Sequence, residues 1–477
     1  MATGPDPRPL SRRELLKRTG LVTAGTVAGA AAINATAPVL LPEPASVDLN
    51  RSYWSRALPA AGSPLLRSLD ADVAIVGGGL TGLSTAYYLA RGNPGRRVVV
   101  LEARSCGNGA SARNGAMLLT STCDRWLVPS RRPDLDRRLY ALTVQNIADL
   151  RALAAELGTD MELDTAGAVQ VFNTAAEARA GRETAARLED AGIPVAWWDA
   201  EQTHASLGTR LYPGALFDPA SGQLHPGKLV GLFKAAASAA GAQVYENTRV
   251  AAVDEGRVHT LRTDTGQRVR AAALVLATNA YSSQLGYLRG AYAPLLEYVA
   301  ITPPLAAERI AALGWRTRTP FTDSRTEVFY LGLTRDNRIH IGGGPVGYRF
   351  NNGTPPAAVP PPQVAALRGE LGRIFPELGA VPFESCWDGA VDMSLDSTPA
   401  VGRMGRYGNV YYGIGYSGHG VNLTSVFGRI LADLIDGHGA RWSWLPYLDR
   451  LPPYVPNEPF RWLGLRAALA AIRASEP

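Results

Sequence analysis

The sequence predicts an α/β chain in which a Rossmann-like parallel sheet is interleaved with a second, mostly antiparallel β-sheet domain. Three observations carry this. Residues 71–102 spell one complete βαβ unit; short β-like runs cluster in 158–218 and again in 291–384; and the chain returns to helix-then-strand segments at 225–250 and to a strand, turn and helix within 387–437. At 477 residues the chain is too long for one compact core, so two domains are expected.

The βαβ unit is the most informative stretch. An apolar run, Val73 to Val76, enters a glycine turn; a helical segment follows from Leu80 to Ala90; a second apolar run, Val98 to Leu101, ends on Glu102. Gly77, Gly79 and Gly82 make GxGxxG. The first allows a tight turn, the second lets backbone approach a pyrophosphate, and the third lets helix pack on strand. Leu80 and Thr81 open the helix, whose free N–H groups and positive dipole end favour an anion. Glu102 stands where a carboxylate accepts from ribose hydroxyls, with Ala103 and Arg104 beside it.

GxGxxG alone is weak, and this chain carries it three times. Gly342, Gly344 and Gly347 cannot open a helix, because Pro345 lies among them and FNNGTPP follows; a strand end and a loop are expected. Gly413, Gly415 and Gly418 follow the strand Asn409 to Tyr412 and lead into a helix from Val421 to Ile435. No second strand with an acid comes after it, so this is not another dinucleotide half. No separate nicotinamide site is visible.

Composition sets limits. An apolar fraction of 46% indicates a globular protein. Residues 1–37 supply half of the +6 net charge, so the body is nearly balanced and nucleic acid is not an expected partner. Cys106, Cys123 and Cys386 have no metal-ligand spacing and are odd in number, so neither a metal site nor a disulfide framework is expected. Residues 11–17, SRRELLK, ahead of the Gly/Ala-rich stretch Leu21 to Ile33, resemble a twin-arginine export signal, with Leu15 in the usual Phe place. That resemblance implies passage through the twin-arginine machinery and residence outside the cytoplasm. The apolar stretch is too short and too weakly hydrophobic for a membrane span. Pro38 directly after Ala35-Thr36-Ala37 hinders cleavage there, which leaves open an uncleaved N-terminal segment held at the membrane.

The expected division is a signal segment at 1–37, a Pro/Ser/Ala-rich linker at 38–66 with Tyr53 and Trp54 as an aromatic anchor, and a dinucleotide domain built from 67–157, 219–290 and 385–440. The second, substrate domain comprises 158–218 and 291–384, and a tail at 441–477 ends in a helix packed on the surface or on a partner.

The βαβ unit, the GASARN loop within Cys106 to Met117, the strand ending LATNAY, the W-x-G…D-x-x-P-x-x-G segment from Trp387 and the GYSGHG turn occur in this order. Over residues 68–465 the chain resembles the D-amino-acid oxidase-like FAD superfamily, the group of glycine oxidase, sarcosine oxidase and γ-glutamylputrescine oxidase, and is nearest the last in pattern. The resemblance implies non-covalent FAD, since the family's C-terminal attachment cysteine would fall near Gly389, not at Cys386. Gly77 to Gly82 would hold the pyrophosphate and Glu102 the ribose. Ser111, Arg113 and Asn114 would lie along the pyrophosphate and ribityl chain, and Gly115, Ala116 and Met117 near the isoalloxazine. Val250 would meet the adenine, and Thr278 would close the cleft. Gly415, Gly418, Gly420, Val421 and Asn422 would aim a helix N-terminus at the N1–C2=O edge, where negative charge collects on reduction.

Flavin amine oxidation asks little of the protein: a substrate C–H over N5, a neutral amine and an electron-poor ring. His419, in the last glycine turn, is the leading polar candidate at the reacting face. Tyr330 and Tyr298, on strands that would roof the site, could orient an amine. His340 is expected to face away, and Tyr348 and Arg349 are candidate gate residues. Gly332 occupies the place where relatives acting on amino acids commonly carry an arginine, which favours an amine over a carboxylate-anchored substrate. Lys17, Lys228 and Lys234 are the only lysines and none is expected at the flavin, so O2 or another electron acceptor both stay open. The expectation is oxidation of a primary or secondary amine to an imine that then hydrolyses. The alternatives are a dehydrogenase or oxidase of an N-substituted or D-amino acid, and a flavin-bearing assembly or binding subunit without turnover.

Overall fold

A computed structural model describes residues 50–122, 132–353 and 358–476. The expected signal segment, residues 38–49 of the linker and Cys123 lie outside the described residues.

Two eight-stranded sheets frame the chain. In the first, strand Leu69–Val76 is central, parallel to Arg268–Leu276 on one side and to Val98–Leu101 on the other; Val410–Ile414 and Gln243–Tyr245 extend it, also parallel. A parallel sheet is covered on both faces, so its strands read as unbroken apolar runs. Val73, Ile75, Val98 and Val100 pack on the helices Leu80–Gly92, Pro226–Ala239 and Gly420–Ile435, while Ala74, Val76, Val99 and Leu101 face the other core. A short antiparallel meander, Val250–Asp254 and His259–Thr263, leans on Arg268–Leu276.

The second sheet runs Ser385–Met393, Ala293–Ile301, Ile339–Gly343, Phe329–Leu333, Phe321–Thr322, Ala168–Val171, Gly214–Asp218 and Ala196–Asp199. All its pairs are antiparallel except Phe321–Thr322 with Ala168–Val171. Strands from 158–218 and 291–384 therefore share one sheet. Ser385–Met393, expected to open the third segment of the dinucleotide domain, instead pairs along its whole length with Ala293–Ile301 at the edge of this sheet. The sequence of that strand suits either sheet; the nine-residue register decides it.

Two peripheral segments are packed onto the body of the chain. In the linker, Trp54 is 1% exposed and packs beneath the site. In the tail, helix Phe460–Ser475 is fastened to the second domain by Arg473, which donates to both oxygens of Glu327 at 2.7 Å. Among the described residues no helix is long and apolar enough to cross a membrane, and no cluster of His, Cys, Asp and Glu has metal-holding geometry.

Candidate active site

The first glycine turn is built on contact. Gly77 has φ +109°, and a Cβ there would meet the Ala277 carbonyl oxygen at 2.4 Å; a Cβ at Gly82 would meet the Gly77 carbonyl at 2.0 Å. Gly79 precedes the helix without a side-chain cap, and Ser111 Oγ accepts from the Leu80 N–H at 2.9 Å. Glu102 accepts from Gly78 N–H at 2.8 Å and from Arg104 N–H at 2.9 Å. Burial pushes its pKa up, against the amides of Arg104, Gly78 and Ala103. Thr248 donates its N–H to the Glu102 carbonyl at 2.8 Å, and buried Val250 follows two residues on. Beside Glu102 lies an acid that sequence reasoning missed: fully buried Glu246, which accepts from Cys106 N–H at 2.6 Å and from Lys234 Nζ at 2.7 Å. Lys234 is thereby engaged at this end of the cleft.

The GASARN loop is held by its own side chains. Asn114 donates to the Ala110 and Ser111 carbonyls at 3.1 and 3.0 Å and accepts from Ala116 N–H at 2.9 Å. Arg113, expected along the pyrophosphate, is buried, and its guanidinium donates to the Asn108 carbonyl at 2.7 Å, to the Asp388 carbonyl at 2.9 Å and to Asn50. It locks the loop to strand Ser385–Met393. Two indoles do the same through Nε1, Trp54 to the Asn114 carbonyl and Trp387 to the Arg113 carbonyl, both at 2.9 Å. Met117 pairs with Gln223, and Ala116 is held at φ +60°.

The last glycine turn is built on conformation. Gly415, Ser417 and Gly418 have φ +74°, +49° and +90°, and helix Gly420–Ile435 follows. Asp392, fully buried, accepts from Gly415 N–H at 2.6 Å, and burial pushes its pKa up to about 7 against the amides of Gly415, Tyr416 and Ser417. Thr81 and Tyr416 share a hydroxyl hydrogen bond at 2.7 Å, which ties this turn to the first one. His419 is half-buried at the head of the helix, its Nδ1 at 3.3 Å from the Ser417 carbonyl. Val421 is buried, and Asn422 is turned to structure: it donates to the Leu119 and Thr143 carbonyls at 2.9 and 3.2 Å and accepts from Asn146 at 2.7 Å.

The first-sheet strand Arg268–Leu276 ends beside these turns. Thr278 Oγ1 lies 2.8 Å from Ser282 Oγ, and Asn279, at φ +44°, has a buried Oδ1 without a partner.

The second sheet supplies the roof. Tyr330 packs its ring on Gly115, where a Cβ would meet it at 2.3 Å. Burial holds the Tyr330 hydroxyl well above its ordinary range, so it stays protonated. Tyr298 does not join it. Register places Val299 opposite Gly342 and Gly342 opposite Tyr330, so Tyr298 is on the other face, its hydroxyl near Gly347. His340, expected to face away, shares the Tyr330 face, because it pairs directly with Gly332. It is fully buried, with its pKa pushed down to about 3, and is therefore neutral. His340, Trp54, Ala116, Gln223, His225 and Arg318 line a cavity of about 330 Å³ that reaches the loop. A Trp in a linker otherwise rich in Pro, Ala and Ser was the signal for Trp54; the buried face of His340 had none.

Residues 72–434 match the DAO family, FAD dependent oxidoreductase. The chain belongs to that family. The DAO-family chain is 30% identical over 400 residues to the γ-glutamylputrescine oxidoreductase of Escherichia coli K12, covering 81% of this chain and 89% of that one. It is 28% identical over 408 residues to the probable oxidoreductase OrdL of Haemophilus influenzae, covering 82% and 90%. In fold it resembles the crystal structure of glycine oxidase from Geobacillus kaustophilus, with a TM-score of 0.68, 23% identity, and 80% and 98% of the two chains covered. The protein is thus an FAD-dependent oxidoreductase of the amine and amino-acid oxidase type, acting on CH–NH or CH–NH2 groups.

The residues present fit FAD. Gly79 leaves a helix N-terminus uncapped beside Ser111, and Asn279 leaves a buried acceptor without a partner between the two turns. The described cysteines stand apart from the ring loop: a Cβ at Gly78 would meet Cys106 Sγ, and Cys386 pairs with Ala300, on the face opposite Tyr330.

Proposed function

We propose that this DAO-family enzyme oxidises a primary or secondary amine to an imine, which water hydrolyses, with electrons passing to O2 or another acceptor. The observation that carries this is the face around Tyr330. Among the described residues of its four strands (Phe329–Leu333, Ile339–Gly343, Ala293–Ile301 and Ser385–Met393) no arginine or lysine appears, and Gly332 and Gly342 flank the tyrosine. The strands thus offer a carboxylate no bidentate partner beside Tyr330, and Arg318, which lines the cavity from a neighbouring loop, donates to Asn337 Oδ1 at 2.9 Å and to the Thr334 carbonyl at 2.8 Å. The 30% identity to γ-glutamylputrescine oxidoreductase supports an amine as well.

When bound, FAD supplies the two-electron acceptor. The chain positions and shields. Tyr330, protonated and packed on Gly115, is a hydrogen-bond donor at the roof. Trp54 and Trp387 hold the loop through single N–H bonds and present apolar faces that exclude water, which strengthens every remaining electrostatic contact. The N-terminus of Gly420–Ile435 favours negative charge beside it. His340 stays neutral and does not compete with a cationic substrate.

The test is anaerobic. Holoenzyme is mixed with primary and secondary amines, N-methyl amino acids and D-amino acids while the flavin absorption is followed. Bleaching by amines is the expected result; bleaching by amino acids alone, or by nothing, sinks the reading. We also propose export by the twin-arginine route, supported by SRRELLK at 11–17. Activity retained in the cytoplasm equally by the wild type and an Arg12→Lys, Arg13→Lys variant would refute it.

A further inference from the structure

The cavity beside Tyr330 has two ends of different character. Its inner end is buried and formed by Trp54, Ala116, Gln223, Leu224, Leu333 and His340, none of which carries a formal charge. Its outer end carries charges that neighbours already answer. Lys228 Nζ lies 2.7 Å from Glu162, Arg335 lies 2.5 Å from Asp160, and Asp164 is close enough to Arg318 to act on its charge. A charged tail reaching the inner end would leave water and find no counter-charge there; an uncharged tail avoids that cost.

What the inner end offers is hydrogen bonding and rings. His340 Nδ1 is buried without a partner, whereas nearly every buried polar atom in a folded protein has one. His340 Nε2 and Gln223 Oε1 converge on Gly332, where a Cβ would meet them at 2.2 and 2.9 Å. Gln223 donates through Nε2 to the Leu333 carbonyl at 2.9 Å, which fixes its oxygen toward that point. A neutral imidazole has one donor and one acceptor nitrogen, so a hydroxyl, itself donor and acceptor, matches imidazole and amide oxygen together. Trp54 stands edge-on to His340 and to His225, with centroids 5.4 and 5.1 Å apart and planes at 80° and 79°. A further ring extends this edge-to-face packing. His340 is two residues from Gly342, the partner of Tyr330, so the cavity begins roughly 7 Å along the strand from that tyrosine. A short alkyl spacer and a ring span that distance.

We propose that this cavity is a tail subsite selecting an uncharged aromatic group that carries a hydroxyl, so that the preferred substrates are hydroxyaryl-alkylamines, with His340 as the specificity-determining residue. The assignment rests on the amine reading above. A phenol in the cavity gives His340 the partner that the chain does not supply, and its ring displaces water from the apolar walls. No bond is made or broken at His340.

Two sets of probes test it on the FAD-loaded full chain. The first set carries no amine: para-cresol, toluene and para-toluate, titrated with tryptophan fluorescence and melting temperature as readouts. Para-cresol is expected to bind about tenfold tighter than toluene, from one buried hydrogen bond, with para-toluate weakest. The second set is tyramine, phenethylamine, para-aminoethylbenzoate and butane-diamine, titrated anaerobically while the flavin absorption is followed. Tyramine should half-saturate bleaching about tenfold below phenethylamine, with the two charged-tail amines weaker than both. His340→Leu should bring the tyramine-to-phenethylamine ratio close to one. Wild-type titrations alone overturn the proposal if toluene or para-toluate equals para-cresol, or if either charged-tail amine equals tyramine, so it does not depend on the variant folding. It is also overturned if His340→Leu weakens tyramine and phenethylamine alike, which is a structural loss. Tight binding of para-cresol with bleaching by no amine is a different failure, that of the amine reading, and it removes the substrate assignment with it.

Discussion

Two glycine turns feed the two helices that flank the FAD cleft, and they use glycine for opposite reasons. At Gly77 to Gly82 the absent Cβ is needed because atoms are already there, the Gly77 carbonyl at 2.0 Å from a Cβ on Gly82. At Gly415 to Gly418 a Cβ on Gly418 would meet nothing within 4 Å, and only φ +90° asks for glycine. The first turn is a packing junction between strand, helix and the crossover strand. The second is a bend with open space beside it, held from below by Asp392. Contact tolerates no extra atom, whereas conformation only resists one.

This contrast orders three expected outcomes. Gly82→Ala should be the most damaging: an added methyl against backbone forces strand and helix apart, costing about 3 kcal/mol or more and abolishing FAD retention. The ratio of flavin to protein absorbance after purification, with denaturant unfolding, measures both. Retention of FAD by this variant would remove the distinction.

Asp392→Asn comes next, through pH. Asp392 titrates near 7 in the folded chain against an ordinary 3.8. An acid raised in the folded state stabilises the fold fully below its ordinary value, and that contribution drains away as pH rises through the folded value. The wild type should therefore lose stability between about pH 4 and 7, and the Asn variant should lose less. Its Tm relative to wild type is expected to climb across that window. A pH-independent difference would show that Asp392 does not titrate there.

Gly418→Ala should be the mildest, about 1 kcal/mol from placing an alanine in the left-handed region, with FAD retained. A cost equal to that of Gly82→Ala would mean the second turn is also a contact junction.

Much of the cleft was legible because its signals are local. Strand, turn, helix, strand and acid lie in one stretch, and Gly77, Gly79, Gly82 and Glu102 stand together in the structure as that pattern requires. Tyr330 was legible for a similar reason, on a strand of strong β propensity. Tyr298 and His340 were misjudged together. Which face a strand residue takes depends on register, and a one-residue slip exchanges the faces; no local property of His340 announces that it pairs with Gly332. Arg113 and Asn422, read as cofactor contacts, donate to backbone carbonyls instead: Arg113 to those of Asn108 and Asp388, and Asn422 to those of Leu119 and Thr143. Buried backbone oxygens must be satisfied from somewhere, and the choice of partner lies far away in sequence.

The sequence by itself determined that this chain carries a dinucleotide-binding βαβ unit and that a second β-rich region interrupts the first, because each follows from periodicity, glycine spacing and residue order. Only the tertiary structure decided that Ser385–Met393 joins the second sheet, that Trp54 from the linker supports the loop, that Asp392 holds the last turn, and that His340 rather than Tyr298 accompanies Tyr330. These facts depend on which strands pair and in what register. Side chains alternate every residue, so a pairing formed between segments as distant as Ala293–Ile301 and Ser385–Met393 assigns every face at once.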